Sequence, residues 1–228
     1  MKIAIIPARG GSKRIPKKNI KDFCGLPIIA YSINTAKKSN IFDKIIVSTD
    51  NDEIANVAKS YGAEVPFKRP EHLSDDHTGI NDVIFHAVNY MIQKGQVLNE
   101  VCCIYATAPL IKINDLKESL KILQTNKWNY VISATNFNYP IHRSFEIKEN
   151  GSIEMLFKKY YESRSQDIVK SMHDAGQFCW GYANTWLKKQ IIFDNKSTII
   201  ELPNWRVQDI DTLDDWYRAE QIYKILKK

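Results

Sequence analysis

Ile3-Ala4-Ile5-Ile6 form an unbroken apolar run, which predicts a strand over 2–7 buried on both faces. Past Pro27 the spacing becomes helical, with the proline near the first turn, where its missing N–H costs nothing. A second strand is predicted over 44–49. Asp50-Asn51 then caps a helix whose apolar face is Ile54, Val57, Ala58 and Tyr61, and Gly62 stops it. The same reading gives a short third strand over 63–65 and a helix near 79–94 with Val83, Ile84, Ala87, Val88 and Met91 inward. A strand over 101–105, a helix over 113–125 and a strand over 130–134 follow. This alternation predicts one α/β domain over 1–228, with a mostly parallel central sheet and helices on both faces. Such sheets bind ligands beyond the carboxyl ends of their strands.

From 137 to 175 the rhythm breaks into a hairpin-like excursion carrying Phe137, Tyr139, Phe145, Phe157, Tyr160 and Tyr161. That segment has too little chain of its own to cover those rings, so it is expected to be an oligomer interface. Strands return over 177–182 and 198–202. A last helix starts at Thr212, where Thr212 and Asp215 have capping-box spacing.

Composition adds limits. The chain has 228 residues, is 44% hydrophobic and 25% charged, and carries a net charge of +6, which is ordinary for one globular domain. No apolar stretch approaches the ~20 residues of a membrane span, and no secretory leader is visible. The four cysteines have neither CxxC spacing nor a disulfide framework. A reducing, cytoplasmic setting is therefore expected. The excess of cations is concentrated just after the first strand, in "PARGGSKRIPKKN", residues 7–19. A patch at a strand end fits a phosphate-rich small molecule better than a polymer track.

Two features carry chemistry. In the first loop, Arg9, Lys13, Arg14, Lys17 and Lys18 surround Gly10-Gly11-Ser12, whose backbone N–H groups can form an anion-binding concavity. The GxxxxGK-S/T and GxGxxG orders are both absent. A solvated charge run explains the cations but not the glycines at the ligand edge. The second feature is "QDIDTLDD", 208–215: in an extended segment Asp209 and Asp211 share one side. Two carboxylates there suit Mg²⁺, which completes its shell with phosphate oxygens and water; helix capping is the structural alternative for Asp211. Arg69-Pro70 with Asp76 fits a rigid turn and its counter-charge. Arg143 and Arg164 suit either interface pairs or a bidentate grip on a carboxylate. His173, Asp174 and Gln177 stand before a strand, where they could hydrogen-bond a polyol. His72, His77 and His86 are read as capping or packing residues. No Ser-His-Asp order and no zinc spacing appears.

"IPARGGSKRIPKKN", "STDNDEIANVAKSYGAEVPFKRPEHLSDD" and "DIDT" together resemble, over nearly the whole chain, the cytidylyltransferases that activate nonulosonic (sialic-type) acids. The resemblance implies a Rossmann-like three-layer nucleotidyltransferase fold, a homodimer built through the excursion, CTP and Mg²⁺. It also implies CMP transfer to the anomeric oxygen of a sugar acid, with pyrophosphate released. Carried over by motif, Arg9, Gly10, Gly11, Ser12, Lys13, Lys18 and Asn19 hold CTP, Arg69 stands near the base, and Asp209 and Asp211 stand at the metal. Arg9, Lys13, Lys18 and Asp211 are the residues expected to act in the transfer. Arg14 stands where a glycine is commoner, and Ile80 where some members place a serine. On the sugar side, "YATAPL" replaces a "QPTSPL"-like run, which puts Tyr105 and Thr107 at the strand end. Arg143 and Arg164 are candidates for the sugar carboxylate. "RSQD" and "HDAGQF" resemble the pseudaminic acid branch, so His173, Asp174, Gln177 and Phe178 are expected to line the sugar. The alternatives are a CMP-legionaminate or CMP-N-acetylneuraminate synthetase and, from other classes, a basic-loop nucleic-acid binder or a nucleotide-binding fold with a dead site. Neither nucleic acid nor membrane is the expected partner.

Overall fold

The computed structural model describes residues 1–227. Strand β1 (Lys2–Pro7) is apolar from Ile3 onward because it lies inside the sheet. Ala4 and Ile6 face one core, while Ile3 and Ile5 face the other. After the cation loop comes a small hairpin, β2 (Asp22–Phe23) and β3 (Leu26–Pro27), too short to show any periodicity. Helix α1 (Ile28–Ser39) follows and ends at Asn40 in the left-handed region. Strand β4 (Lys44–Ser48) leads into α2 (Asp52–Ser60), whose N-cap is Asn51: its side chain accepts from the Ile54 N–H. The strand expected over 63–65 is a single bridge between Glu64 and Ile46. Gly62 at positive φ and Pro66 bracket that segment too tightly for a ladder.

Helix α3 (Ile80–Gln93), β5 (Glu100–Ile104), α4 (Ile113–Leu123) and β6 (Tyr130–Asn136) come in the expected order. The excursion then forms its own two-stranded sheet, β7 (Phe145–Ile147) against β8 (Ile153–Met155). Strand β9 (Met172–Tyr182) begins earlier than the expected Gln177, so the last residues assigned to the excursion belong to the main sheet. Short α5 (Ala183–Leu187), β10 (Ser197–Glu201) and α6 (Leu213–Leu226) complete the chain.

The main sheet has the order β10-β6-β9-β5-β1-β4, and β9 is its antiparallel member. Helices α1, α2 and α4 cover one face, and α3 and α5 the other. Helix α6 packs Trp216 and Ala219 onto Phe23, Ile28 and Tyr31 in a third cluster. The result is the expected three-layer α/β fold. β1 has β4 on one side and β5 on the other. The strand order reverses there, so the loops leaving β1 and β5 flank a crevice. Because β9 runs the opposite way, its amino end also lies at that edge.

Candidate active site

The loop after β1 is held in place by the protein's own hydrogen bonds. The Gly10 N–H donates to Asp50 Oδ1 at 2.9 Å, and a Cβ on Gly10 would stand 3.0 Å from that of Asn51. Glycine is required there for close approach, whereas Gly11 faces open space. The Ser12 N–H donates to the Gly10 carbonyl at 2.9 Å, and Asn19 Nδ2 donates to the Arg9 carbonyl at 2.9 Å. Ile15 is buried in the α6 cluster and pins the middle of the loop.

Its cations are paired with acids remote in sequence. Arg9 lies 2.7 Å from Asp76, which Lys13 also contacts. Lys13 and then Arg9 hold the Asp76 carboxyl below its ordinary range. Asp76 is thus the partner of Arg9 and Lys13 rather than the counter-charge of Arg69. Arg14 reaches Asp211 at 2.7 Å. Lys18 donates to the Ile210 carbonyl at 2.6 Å and lies 3.5 Å from Asp211.

Two clefts open on either side of that Arg14–Asp211–Lys18 contact. The first, about 320 Å³, is lined by Arg9, Ser12, Lys13, Lys18 and Asn19 on one wall, with Arg69 and the 105–107 turn opposite. The second, about 380 Å³, holds His173, Asp174, Asp209 and Asp211 together with the amides Asn136 and Gln208. Burial, and after it the Asp211 charge, push the Asp209 carboxyl above its ordinary range. Asp174 is raised in the same way, by burial and then by Asp209.

Arg69 is buried. Its Nε donates to Ser48 Oγ at 3.1 Å and its Nη2 to the Ser48 carbonyl, which ties the end of β4 to the cleft wall. Burial lowers its pKa to about 10. The Tyr105 N–H donates to the Gln177 carbonyl at 2.9 Å, and burial pushes its hydroxyl well above the usual phenol range.

Four residues expected on the sugar side, Gln177, Phe178, Arg143 and Arg164, line neither cleft, and Tyr105 and Thr107 line the first cleft rather than the one that holds His173 and Asp174. Phe178 is fully buried in the core under α1 and α4, because its side chain points into the sheet face that those helices cover. Gln177 is also buried, with its side-chain oxygen unpartnered. Both lie inside the break in the β6–β9 register, which falls between Asp174 and Cys179. Ser133 Oγ accepts from the Phe178 N–H at 3.0 Å and donates to its carbonyl at 2.9 Å. That irregularity carries Gly176, at φ 62°, beside Asp209, where a Cβ would come within 3.3 Å of the carboxyl carbon. His173 and Asp174 therefore reach the site while Gln177 and Phe178 support it from behind. Arg143 and Arg164 stand on the excursion, outside both clefts. Arg143 donates to the Ser163 carbonyl, and Arg164 pairs with Asp167 at 2.7 Å.

Sequence reasoning missed Asn136 and Gln208, since single amides at strand and loop ends leave no periodic trace. It also missed Asp75, whose carboxylate accepts from the Thr78 and His77 N–H groups to shape the turn that delivers Asp76. The cluster "SDD" was the available signal.

The protein-family model described as "Cytidylyltransferase" matches residues 3–223. The chain belongs to the cytidylyltransferase family. It is 46% identical to a pseudaminic acid cytidylyltransferase of Campylobacter jejuni subsp. jejuni serotype O:23/36 (strain 81-176), over 98% of this chain and 96% of that one. It is 36% identical to a CMP-N,N'-diacetyllegionaminic acid synthase of Legionella pneumophila, over 98% of this chain and 96% of the other. Among solved structures it resembles a CMP:2-keto-3-deoxy-manno-octonic acid synthetase complexed with CTP. That match has a TM-score of 0.72 at 13% identity and covers 99% of each chain. The fold is that of a nucleotidyltransferase, and family membership makes this cytidylyltransferase an enzyme.

Proposed function

We propose that this cytidylyltransferase transfers CMP from CTP to the anomeric hydroxyl of pseudaminic acid and releases pyrophosphate. The observation that carries the reading is the meeting of a cation-lined cleft and a carboxylate-lined cleft at Asp211. CTP occupies the first, with Arg69 and the 105–107 turn on the base side and the phosphates on the β1 loop. The sugar acid occupies the second, against His173, Asp174 and Asn136. Its anomeric oxygen then faces the α-phosphorus across the Asp209–Asp211 wall. Phosphate oxygens compete with Asp76 for Arg9 and Lys13, and these two with Lys18 stabilise the leaving pyrophosphate electrostatically.

Asp209 and Asp211 fit Mg²⁺: their like charges oppose each other, and Gly176 leaves open the space beside Asp209 that a Cβ would fill. Bound there, Mg²⁺ supplies charge neutralisation at the phosphates and a lower pKa for an attacking hydroxyl. The excursion pairs two copies, and in that pairing Arg143 and Arg164 approach the partner's sugar cleft. The supporting observation is the exposure of Tyr139, Phe145, Ile147 and Tyr161. Four unbridged cysteines fit a cytoplasmic enzyme, and among the described residues no helix is long and apolar enough to cross a membrane. The loop cations are pinned to acids on the cleft walls, which disfavours a nucleic-acid track.

Pyrophosphate release with CTP and a panel of pseudaminic, legionaminic and N-acetylneuraminic acids tests the reading. We expect turnover of pseudaminic acid to dominate, because a site built to pair one set of polar groups rejects an acid that leaves them unpaired. Preference for legionaminic acid, which the Legionella relative makes the natural second reading, would overturn the substrate but keep the reaction. No pyrophosphate with any acid would overturn both.

A further inference from the structure

The chain between β10 and α6 crosses the carboxyl edge of the sheet as a strap, residues 202–211, and carries Asp209 and Asp211. Three of its residues are buried: Leu202, Arg206 and Ile210. Leu202 is fixed by its N–H to the Ala134 carbonyl at 2.7 Å, and Ile210 packs under α6. The middle anchor is a charge. Arg206, 4% exposed, donates from Nη1 and Nη2 to Asp115 Oδ2 and Oδ1 at 2.8 and 2.7 Å. Asp115 stands in the first turn of α4, where its Oδ2 also accepts from the Lys112 N–H at 3.1 Å. Helix α4 is the element into which the 105–112 loop descends, and that loop carries Tyr105, Ala106 and Thr107 onto the nucleotide cleft. One bidentate pair thus joins the loop on the nucleotide side to the strap bearing the carboxylates. Neither Arg206 nor Asp115 lines either of the two clefts.

A buried pair adds little stability over apolar packing of the same shape, but a planar fork on a carboxylate fixes distance and angle. The other backbone ties of the 203–207 turn are local, Arg206 N–H to the Pro203 carbonyl and Val207 N–H to the Asn204 carbonyl, each at 3.1 Å. We propose that Arg206 is a positioning residue. Through Asp115 it sets where Asp209 and Asp211 stand relative to the nucleotide cleft, and so sets affinity for the divalent cation. This rests on the reading of those two aspartates as its ligands.

The test is Mn²⁺ binding followed by the electron paramagnetic resonance of free Mn²⁺, alongside the Mg²⁺ dependence of turnover. It compares wild type, the apolar replacement Arg206→Met/Asp115→Leu, the charge-keeping Arg206→Lys, and Asp211→Asn. The apolar double variant keeps a wild-type circular dichroism spectrum, weakens Mn²⁺ binding about tenfold and shifts half-saturation by Mg²⁺ equally. Its KM for CTP at saturating Mg²⁺ changes less than about twofold, and Arg206→Lys falls between it and wild type. A folded double variant with wild-type Mn²⁺ affinity overturns the proposal. If the double variant fails to fold, wild-type affinity in Arg206→Lys overturns it instead. Asp211→Asn separates the two readings. Binding lost there but intact in the Arg206 variants removes the positioning role alone. Binding retained in Asp211→Asn removes the metal assignment and the role with it.

Discussion

The loop over 8–19 and the excursion over 137–171 both leave the carboxyl edge of the sheet, and both are rich in cations. They differ in where their bonds go. The loop is tied to distant parts of the chain: Gly10 to Asp50, Arg9 and Lys13 to Asp76, and Lys18 to Ile210. The excursion mostly bonds to itself, through Arg143 to Ser163, Arg164 to Asp167, and Lys148 and Lys158 to Glu154. It also leaves Tyr139, Phe145, Ile147, Ile153, Tyr161 and Val169 in solvent. A loop that must meet an anion is made rigid by its own fold, because preorganised charge stabilises a transition state without reorganising. An element whose apolar side chains stay exposed is built for another surface.

The largest effect is expected where the loop touches the carboxylates. Asp211→Asn removes the carboxylate proposed to hold Mg²⁺, which is also the partner of Arg14 and Lys18. Turnover should fall on the order of 100-fold, the scale of removing one preorganised electrostatic group, and the Mg²⁺ requirement should rise. A Mg²⁺ titration at fixed CTP reads both. An unchanged titration would detach the loop from the carboxylates and leave its cations as surface charge.

Next comes the other half of the comparison. Phe145→Ser with Ile153→Ser strips the outer face of the β7–β8 hairpin while leaving its ladder intact. In sedimentation velocity at micromolar concentration, wild type should run as a dimer and the variant as a monomer. A wild type that is monomeric and fully active would make the two regions alike in completeness.

Lysines from each region sharpen the contrast further. Lys18, only 21% exposed, points at the Ile210 carbonyl in the cleft wall, whereas Lys158 is 74% exposed beside Glu154. We expect Lys18→Ala to lower kcat/KM for CTP about tenfold and Lys158→Ala to leave it unchanged. Equal kinetics in both variants would return the loop to a solvated charge run.

How much of this was legible in the sequence follows from the range of each interaction. Apolar runs and helical spacing are local, so β1, α1, α3 and α6 stand within a residue or two of expectation. The grouping of Arg9, Lys13 and Lys18 with Asp211 followed from motif and strand-end logic, since parallel sheets gather their loops at one edge. The hidden parts depend on pairing across sequence. Phe178 was misassigned because its motif lies on a strand, and which neighbours face the ligand depends on the break at Ser133. Asp76 was given to Arg69 because it is near in sequence, but the fold brings it to Arg9 and Lys13. The Arg206–Asp115 pair joins residues whose separation no local pattern spans.

The smallest effect contrasts one acid from each region. Asp209, at the cleft, has its carboxyl raised by burial and by the Asp211 charge, whereas Glu154 on the excursion is drawn down to about 2 by Lys148 and Lys158. For Asp209 the folded state binds the proton more tightly than the unfolded chain, so folding gains stability as pH falls through the folded value, and the ionised group is a cost above it. For Glu154 the sign reverses: its contribution is present above the unfolded value of 4.5 and is lost as pH falls towards about 2. Asp209 meets solvent on one side and the cleft walls on the other, and Glu154 stands partly exposed on the excursion, so the effects are small. At pH 7, Asp209→Asn should raise Tm by about 1–2 °C while abolishing most turnover, and Glu154→Gln should lower Tm by no more than that with kinetics intact. The Asp209→Asn gain should shrink as pH falls, because wild type then takes up the proton that the amide makes unnecessary. The Glu154→Gln deficit should shrink on the same descent, but only below about pH 4.5. Thermal melts of the three proteins from pH 3 to pH 8 test this. A loss of Tm in Asp209→Asn that does not vary with pH would mean that the carboxylate supports the fold, and the cleft would then have no acid held against its own stability.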